Sequence, residues 1–420
     1  MTAPSAARRA WLAVGLGAAL PVRAGARRTL SVAAYPLVDE IVKAALPRWR
    51  QRHPDVHVEV VSRQYADHHT AMTTALSTSV YLPDVMALES SYVGRFSQGT
   101  GLGDLSQPPY RADLLRERFV PFAYDQTVNS RGEVTAVPTD IGPGTLLYRE
   151  DLLAKAGLTA ADLAPSWDAY VEAGIRLKAA TGAYLIGNAQ TLKDIVMRTG
   201  IRPGEGMYFD RDSRVLVQEP RFVRAFELAR KLRRHGLDAR VNAWSNEWAE
   251  GFRRGTLATE LSGAWMVGQM ANWVAPDTRG RWRAAQLPES TFVSYGGTFY
   301  AMPRRAAAEN KALAWELIEL LTLDRRQQLA AFKDQDAFPA LLEAFDDPFF
   351  AEPMPFLGGE PARRLWRDAA RRITARRVHK QDNFADEVVS TELDNVLDHD
   401  KPIEQALADA YRLLEHRAHR

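Results

Sequence analysis

The chain has 420 residues, 46% apolar and 25% charged, with 54 Lys and Arg against 52 Asp and Glu for a net charge of +2. That length supports more than one sizeable core, and so even a charge balance excludes any general argument for nucleic-acid binding. The absence of cysteine excludes disulfides and a lipid-anchored N-terminus, so an exported chain of this size must rest on packing alone.

Residues 1–26 read as an export signal: Arg8 and Arg9, a short apolar run over 11–22, then Ala24, Gly25 and Ala26 as small residues for processing. The run is too short to span a bilayer comfortably; an isolated buried helix is the plainer alternative. Arg8 and Arg9 followed by Trp11 also carry part of a twin-arginine export pattern. Thr29–Tyr35 then predicts a strand, Val38–Gln51 a helix with Ile41, Val42, Leu46 and Trp49 at helical spacing, and the alternating Val56, Val58 and Val60 a second strand. His68–Ser79 predicts a helix and Pro83–Leu88 a short buried strand. This alternation implies a parallel sheet covered on both faces.

Val134–Pro138 predicts a strand, residues 140–144 a crossing punctuated by glycine and proline, and Leu146–Tyr148 a resumed strand. Helices are expected from Glu150, after Ser166 as N-cap, at Pro220–Arg234 closed by Gly236, and at Asn246–Arg254. Strands are expected at Gly182–Gly187, Leu257–Ser262 and Gly296–Pro303. Asn310–Leu323 and a segment from Arg325 predict helices, residues 346–359 a Pro/Gly-rich crossing, and the tail two helices, Glu360–Ile373 and Pro402–Glu415.

Four stretches carry a family resemblance: PDVMALE at 83–89, AVPTDIGPGTLLYREDLLAKAG at 136–157, FRRGTLATELSGAWM at 252–266 and KPIEQALADA at 401–410. In order and spacing the chain resembles the extracellular solute-binding proteins of carbohydrate-uptake ABC transporters, the broad family that includes maltose-binding protein. Arg149 stands where that family often has Asn or Asp, and the segment KDQDAFPA is bulkier and more acidic than usual. The resemblance implies an α/β, two-lobed periplasmic binding protein fold, each lobe a sheet flanked by helices, with a hinge of crossing segments. It places residues 27–138 and 296–345 in lobe 1, and 139–295 and 346–420 in lobe 2. It further implies a periplasmic monomer that hands its solute to an ABC permease, with no cofactor. Charged helix faces near Arg111–Arg118 and Glu309–Lys311 are candidates for the permease contact.

A sugar has weakly apolar ring faces and a rim of hydroxyls, so its site needs aromatic plates and a few convergent polar groups. Trp265 suits the plate, with Gly263 and Ala264 leaving room beside it for a ring; an ordinary anchor of the lobe is the alternative. Glu89, at the carboxyl end of a buried strand, suits a hydroxyl acceptor, or else only favours the next helix dipole. Tyr92, Tyr35 and Tyr65 are candidate liners or plain packing residues. Asp140 sits at the crossing, as a ligand contact or as a turn cap. Gly144, Gly297 and Gly359 are candidate points of close backbone approach, and Trp244 and Trp248 flank a polar turn, one of them expected to be buried.

The expected function is therefore capture of a neutral mono- or oligosaccharide, or a polyol. The alternatives are a solute-binding protein for a non-sugar ligand and a secreted glycoside-active enzyme. Glu89 and Asp140 could form an acid/base pair only at a separation the sequence does not set. His53, His57, His68 and His69 lack metal-ligand spacing, and no phosphate-cradling loop, G-x-S-x-G elbow or HExxH is present. An enzyme and a metal site are not expected.

Overall fold

The structure, a computed structural model, describes residues 28–418; the expected export segment lies outside them. Strand β1 (Arg28–Ala34) leads to helix α1 (Val38–Arg52), whose buried face is Val38, Ile41, Val42, Ala45, Leu46 and Trp49. The helix ends at His53, whose N–H returns to the Trp49 carbonyl, and Pro54 follows it. Strand β2 (Val56–Ser62) lies parallel to β1 with Arg28 opposite Val56, and α2 (Tyr65–Thr78) follows. Strand β3 (Val85–Glu89) pairs parallel to β1 on the other side, and Val85 to Leu88 are all buried, as a strand covered on both faces requires. Helix α3 (Ser90–Ser97) starts directly from Glu89, its N-cap.

The crossing departs from expectation. Residues 140–144 do not interrupt the chain: β4 runs unbroken from Val137 to Arg149. It pairs antiparallel with β7 (Ser294–Ala301), which also pairs antiparallel with β3. The sheet therefore runs β2-β1-β3-β7-β4-β5, with β5 as Thr259–Gly263 and β6 (Trp282–Ala285) also on β4. Register shifts fall between Pro138 and Asp140 and between Ile141 and Pro143, so the prolines sit where the ladder is irregular. Gly142 is required because a Cβ there would lie 1.9 Å from the Tyr295 carbonyl oxygen. These glycines and prolines mark a tight meeting of two strands.

Beyond β4, Ser166 caps the helix Trp167–Thr181 by accepting the Ala169 N–H, and Gly182 ends it at φ 73°. The helices Pro220–Arg234 and Asn246–Arg254 fall at the expected bounds. Arg149 is 3% exposed, forked onto Asp151 and bonded to the Phe252 carbonyl, so it belongs to the packing of this part. The strand expected at Gly182–Gly187 is reduced to two single bridges, Tyr184 to Leu257 and Ile186 to Asp238. The tail holds three helices rather than two: Ala362–Ala370, Asp382–Asp398 and Ile403–Ala418. One extended apolar cluster includes Trp49, Phe119, Tyr300 and Phe338, and a second is built on Trp167, Tyr170, Phe222 and Phe226. The α/β fold has two lobes, and β4 and β7 pair side by side near the middle of the sheet.

Candidate ligand-binding site

Glu89 ends β3 with its backbone N–H turned to His69 and its carboxylate gathered by four donors. Tyr65 donates its hydroxyl at 2.8 Å, Ser90 its hydroxyl at 2.7 Å and Ser91 its N–H at 2.8 Å; the Ser91 hydroxyl is the fourth. The His69 Nδ1 donates to the Tyr65 carbonyl at 2.8 Å, which leaves Nε2 to accept the Glu89 N–H at 3.1 Å. That arrangement needs a neutral ring, and burial pushes the His69 pKa down to about 4. Tyr92 stacks on His69 with centroids 3.9 Å apart and planes 11° from parallel, and Tyr65 is 41% exposed. Three expected residues thus come together here: Glu89, Tyr65 and Tyr92.

Tyr35 joins them from beneath. It is buried, packs edge-on to Tyr65, and its hydroxyl shares a 2.9 Å hydrogen bond with the Thr298 hydroxyl. Thr298 lies opposite Asp140 in the β4–β7 ladder and hydrogen-bonds its carboxylate. Enclosure at the crossing raises the Asp140 pKa to about 7, with nearby Glu89 adding to the rise. Asp140 is a strand residue, so the alternative reading as a turn cap does not hold.

The glycines separate by role. Gly297 is buried at φ 130°, where a Cβ would meet the Asp140 carbonyl at 2.9 Å, so it serves the crossing of the strands. Gly144 packs against Leu287 and Val293. Gly359 is an exposed turn residue with no atom within 4 Å of a built Cβ, and its N–H is taken by the Met354 carbonyl. Gly144 gives its N–H to the Val293 carbonyl and Gly359 to that of Met354, so neither presents a bare N–H.

Trp265 follows β5 and donates its indole N–H to the Tyr295 carbonyl at 2.7 Å. A Cβ on Gly263 would stand 2.4 Å from the Trp265 Nε1, one on Gly296 2.9 Å and one on Gly142 3.0 Å. The expectation that Gly263 leaves space for a ligand ring is corrected: Gly263 leaves space for the tryptophan's own indole. The ring is partly exposed and lies 6.0 Å from Trp244 at 14°. Trp244 in turn lies 5.7 Å from Trp273 at 22°, and these two are 50% and 47% exposed. Trp273 was not foreseen; it comes from the single turn Met270–Val274, held by an indole bond to Gln269. Trp248 is buried beneath, and its N–H reaches Glu260.

Glu260 is 5% exposed, and burial raises its pKa to about 8. A carboxyl that keeps its proton longer in the folded state than in the unfolded one stabilises most below its unfolded pKa. That contribution is lost as pH rises through the folded pKa, at about 1.4 kcal/mol per pH unit for one group. Asp140 and Asp382, each raised to about 7, and Asp336, raised to about 6, act in the same direction. Glu260→Gln should flatten the fall in stability between about pH 5 and 8. Urea unfolding at stepped pH checks this, and identical slopes for variant and parent refute it.

The opposite wall also comes from sequence features that stood out as nothing special. A Cβ on Gly94 of α3 would meet the His379 carbonyl at 2.8 Å, so the segment before the helix Asp382–Asp398 packs directly on α3. Arg376 of that segment lies within electrostatic range of Glu89 and of Asp382. Tyr208 donates to Asp386 at 2.6 Å, and Arg198 lies 5.2 Å from the Tyr295 ring centroid.

Residues 45–355 match the family described as "Bacterial extracellular solute-binding protein". The chain is 25% identical over 352 residues to a lactose-binding protein of Rhizobium radiobacter, covering 79% of this chain and 78% of that one. A crystal structure of an extracellular solute-binding protein of family 1 superposes with TM-score 0.80 at 24% identity, over 93% of this chain and 100% of that one. The sugar-binding protein MalE from Xanthomonas citri superposes with TM-score 0.76 at 20% identity, over 93% and 97%.

Proposed function

This chain belongs to the bacterial extracellular solute-binding proteins, and we propose that it captures a mono- or oligosaccharide between its two lobes and delivers it to an ABC permease. Members bind their solute without converting it, so the chain is a binder and no enzyme. The observation that carries the sugar reading is the row of three near-parallel indoles, Trp265 partly exposed and Trp244 and Trp273 open to solvent, beside the strand crossing. Flat apolar faces of this kind match the faces of pyranose rings. Asp140 supplies an acceptor for the rim and Tyr65, held in place by Glu89, a hydroxyl. The lactose-binding relative supports the same class of solute.

We place lobe 1 at residues 27–138 and 296–345, and lobe 2 at 139–295 and 346–420. Bending is assigned to the β4–β7 crossing, where the irregular register concentrates the backbone freedom. Calorimetric screening of a saccharide library should yield a ligand of micromolar or tighter affinity. Solution scattering should then show a more compact particle. At about 100-fold excess over Kd the ligand adds about 2.7 kcal/mol of stability, visible as a higher Tm. A non-sugar solute binding tightly where every saccharide fails would overturn the reading.

A further inference from the structure

A cavity of about 530 Å³ opens between residues 198–201, 289–294 and 372–376, and it reaches Phe122 and Gln126. Four guanidiniums line it: Arg198, Arg224, Arg372 and Arg376. Arg224 is paired with Glu289 through a 2.9 Å bond from Nη1. Among the described residues, no carboxylate lies within ion-pair distance of the other three. Arg372 rests on the Phe292 ring at 3.9 Å from its centroid. Arg198 gives Nη1 to the Asp194 carbonyl at 2.9 Å, while its buried Nε has no acceptor. Arg376 is partly buried and makes no hydrogen bond to any described residue; Arg198 repels it, and Asp382 and Glu89 attract it without reaching ion-pair distance.

Neither acid completes Arg376. Asp382 gives one oxygen to the His379 N–H at 2.8 Å, and burial lifts its pKa to about 7. Glu89 already holds its four donors. Asp194 and Asp386 lie in the same neighbourhood, both acting on the Tyr295 ring beside Arg198, but among the described residues neither comes within ion-pair distance of the three guanidiniums. A desolvated guanidinium without acceptors is costly, and a planar carboxylate satisfies its fork in the strongest geometry available to it. Tyr295 joins this end to the indoles, because its carbonyl takes the Trp265 N–H and its ring faces Arg198.

We propose that Arg198, Arg372 and Arg376 form a carboxylate subsite, so that the saccharide taken by this protein is an acidic one containing a uronic acid. This rests on the saccharide reading above and narrows it, against the neutral sugar expected from the sequence. The sugar ring lies on the indoles and its carboxylate points to Arg198 and Arg376.

Titration calorimetry against glucuronate- and galacturonate-containing disaccharides, each paired with its neutral C6-alcohol counterpart, tests the subsite. The uronate is expected to bind about 10- to 100-fold tighter than its neutral twin, with the advantage shrinking as salt is raised. In Arg376→Gln the ratio should fall toward one. If that variant loses its fold, Arg376→Lys is read instead; it keeps the charge without the fork and should lose part of the ratio. Equal affinity for both twins, or an undiminished ratio in a folded Arg376 variant, overturns the subsite. A sulfated disaccharide preferred over the uronate overturns the carboxylate assignment. If neutral and acidic saccharides all fail to bind, the saccharide reading itself has failed and takes the subsite with it.

Discussion

Trp265→Ala is expected to weaken saccharide binding by about 1–4 kcal/mol, the range of buried aromatic hot spots. It is also expected to cost about 1–3 kcal/mol of folding stability, less than a fully buried aromatic would. The indole stands beside Trp244 and also donates to the Tyr295 carbonyl, so its removal strips one plate from the row and orphans an acceptor at the strand crossing. Trp265→Phe separates the two roles: it keeps a flat face and loses the N–H, so affinity should largely survive while stability drops by about 1 kcal/mol. Both quantities need measuring on the same preparations, by calorimetric titration and by urea unfolding. Unchanged affinity in Trp265→Ala ends the stacking claim.

Gly142→Ala is expected to be the most damaging of the small substitutions, at about 3 kcal/mol or more. The new Cβ would fall 1.9 Å from the Tyr295 oxygen and 2.7 Å from its carbonyl carbon, and both are backbone atoms that no rotamer change can move. The strands β4 and β7 must part at that point, and Trp265, whose Nε1 is 3.0 Å from the same position, must shift with them. Saccharide affinity should fall along with stability. Gly359→Ala provides the contrast: its φ of 92° makes an alanine strained, yet nothing crowds the added carbon, so about 1 kcal/mol is expected. Urea midpoints of the two variants, measured side by side, decide the matter; equal losses would mean that the close approach at Gly142 carries no special weight.

Much of the frame was legible in the sequence because its signals are local. Trp49 and its neighbours show the helical period of α1, the alternating valines show β2, and Ser166 before Trp167 marks the start of a helix whose N-cap it is. The crossing was misread because glycine and proline usually punctuate; here they answer to the Tyr295 carbonyl, which is distant in the chain. Helix Asp382–Asp398 was overlooked although Val388, Val389, Leu393 and Val396 are all buried on one face; the β-branched pair and the Ser390–Thr391 step after it weaken its helical look. In the site, Glu89 and Tyr92 could be anticipated from the end of one buried strand, and Tyr65 from the stretch after the second strand. Trp273 and Arg376 could not, since the row of indoles draws on three separate segments. Nothing in the run Arg371 to Arg377 distinguishes Arg376, partly buried and without an ion pair among the described residues, from the more exposed arginines around it.

The place of β7 in the sheet has a consequence for the order in which the polypeptide can mature. β3 and β4, residues 85–89 and 137–149, both take β7, residues 294–301, as neighbour. Until that segment has been synthesised, each presents an open edge of unpaired backbone, and β3 is apolar on both faces. Strand pairings of such long sequence separation form slowly and leave aggregation-prone edges meanwhile. The amino-terminal half therefore cannot finish on its own as it emerges. It waits for a strand laid down more than a hundred residues later, which leaves the nascent chain open to holding factors meanwhile.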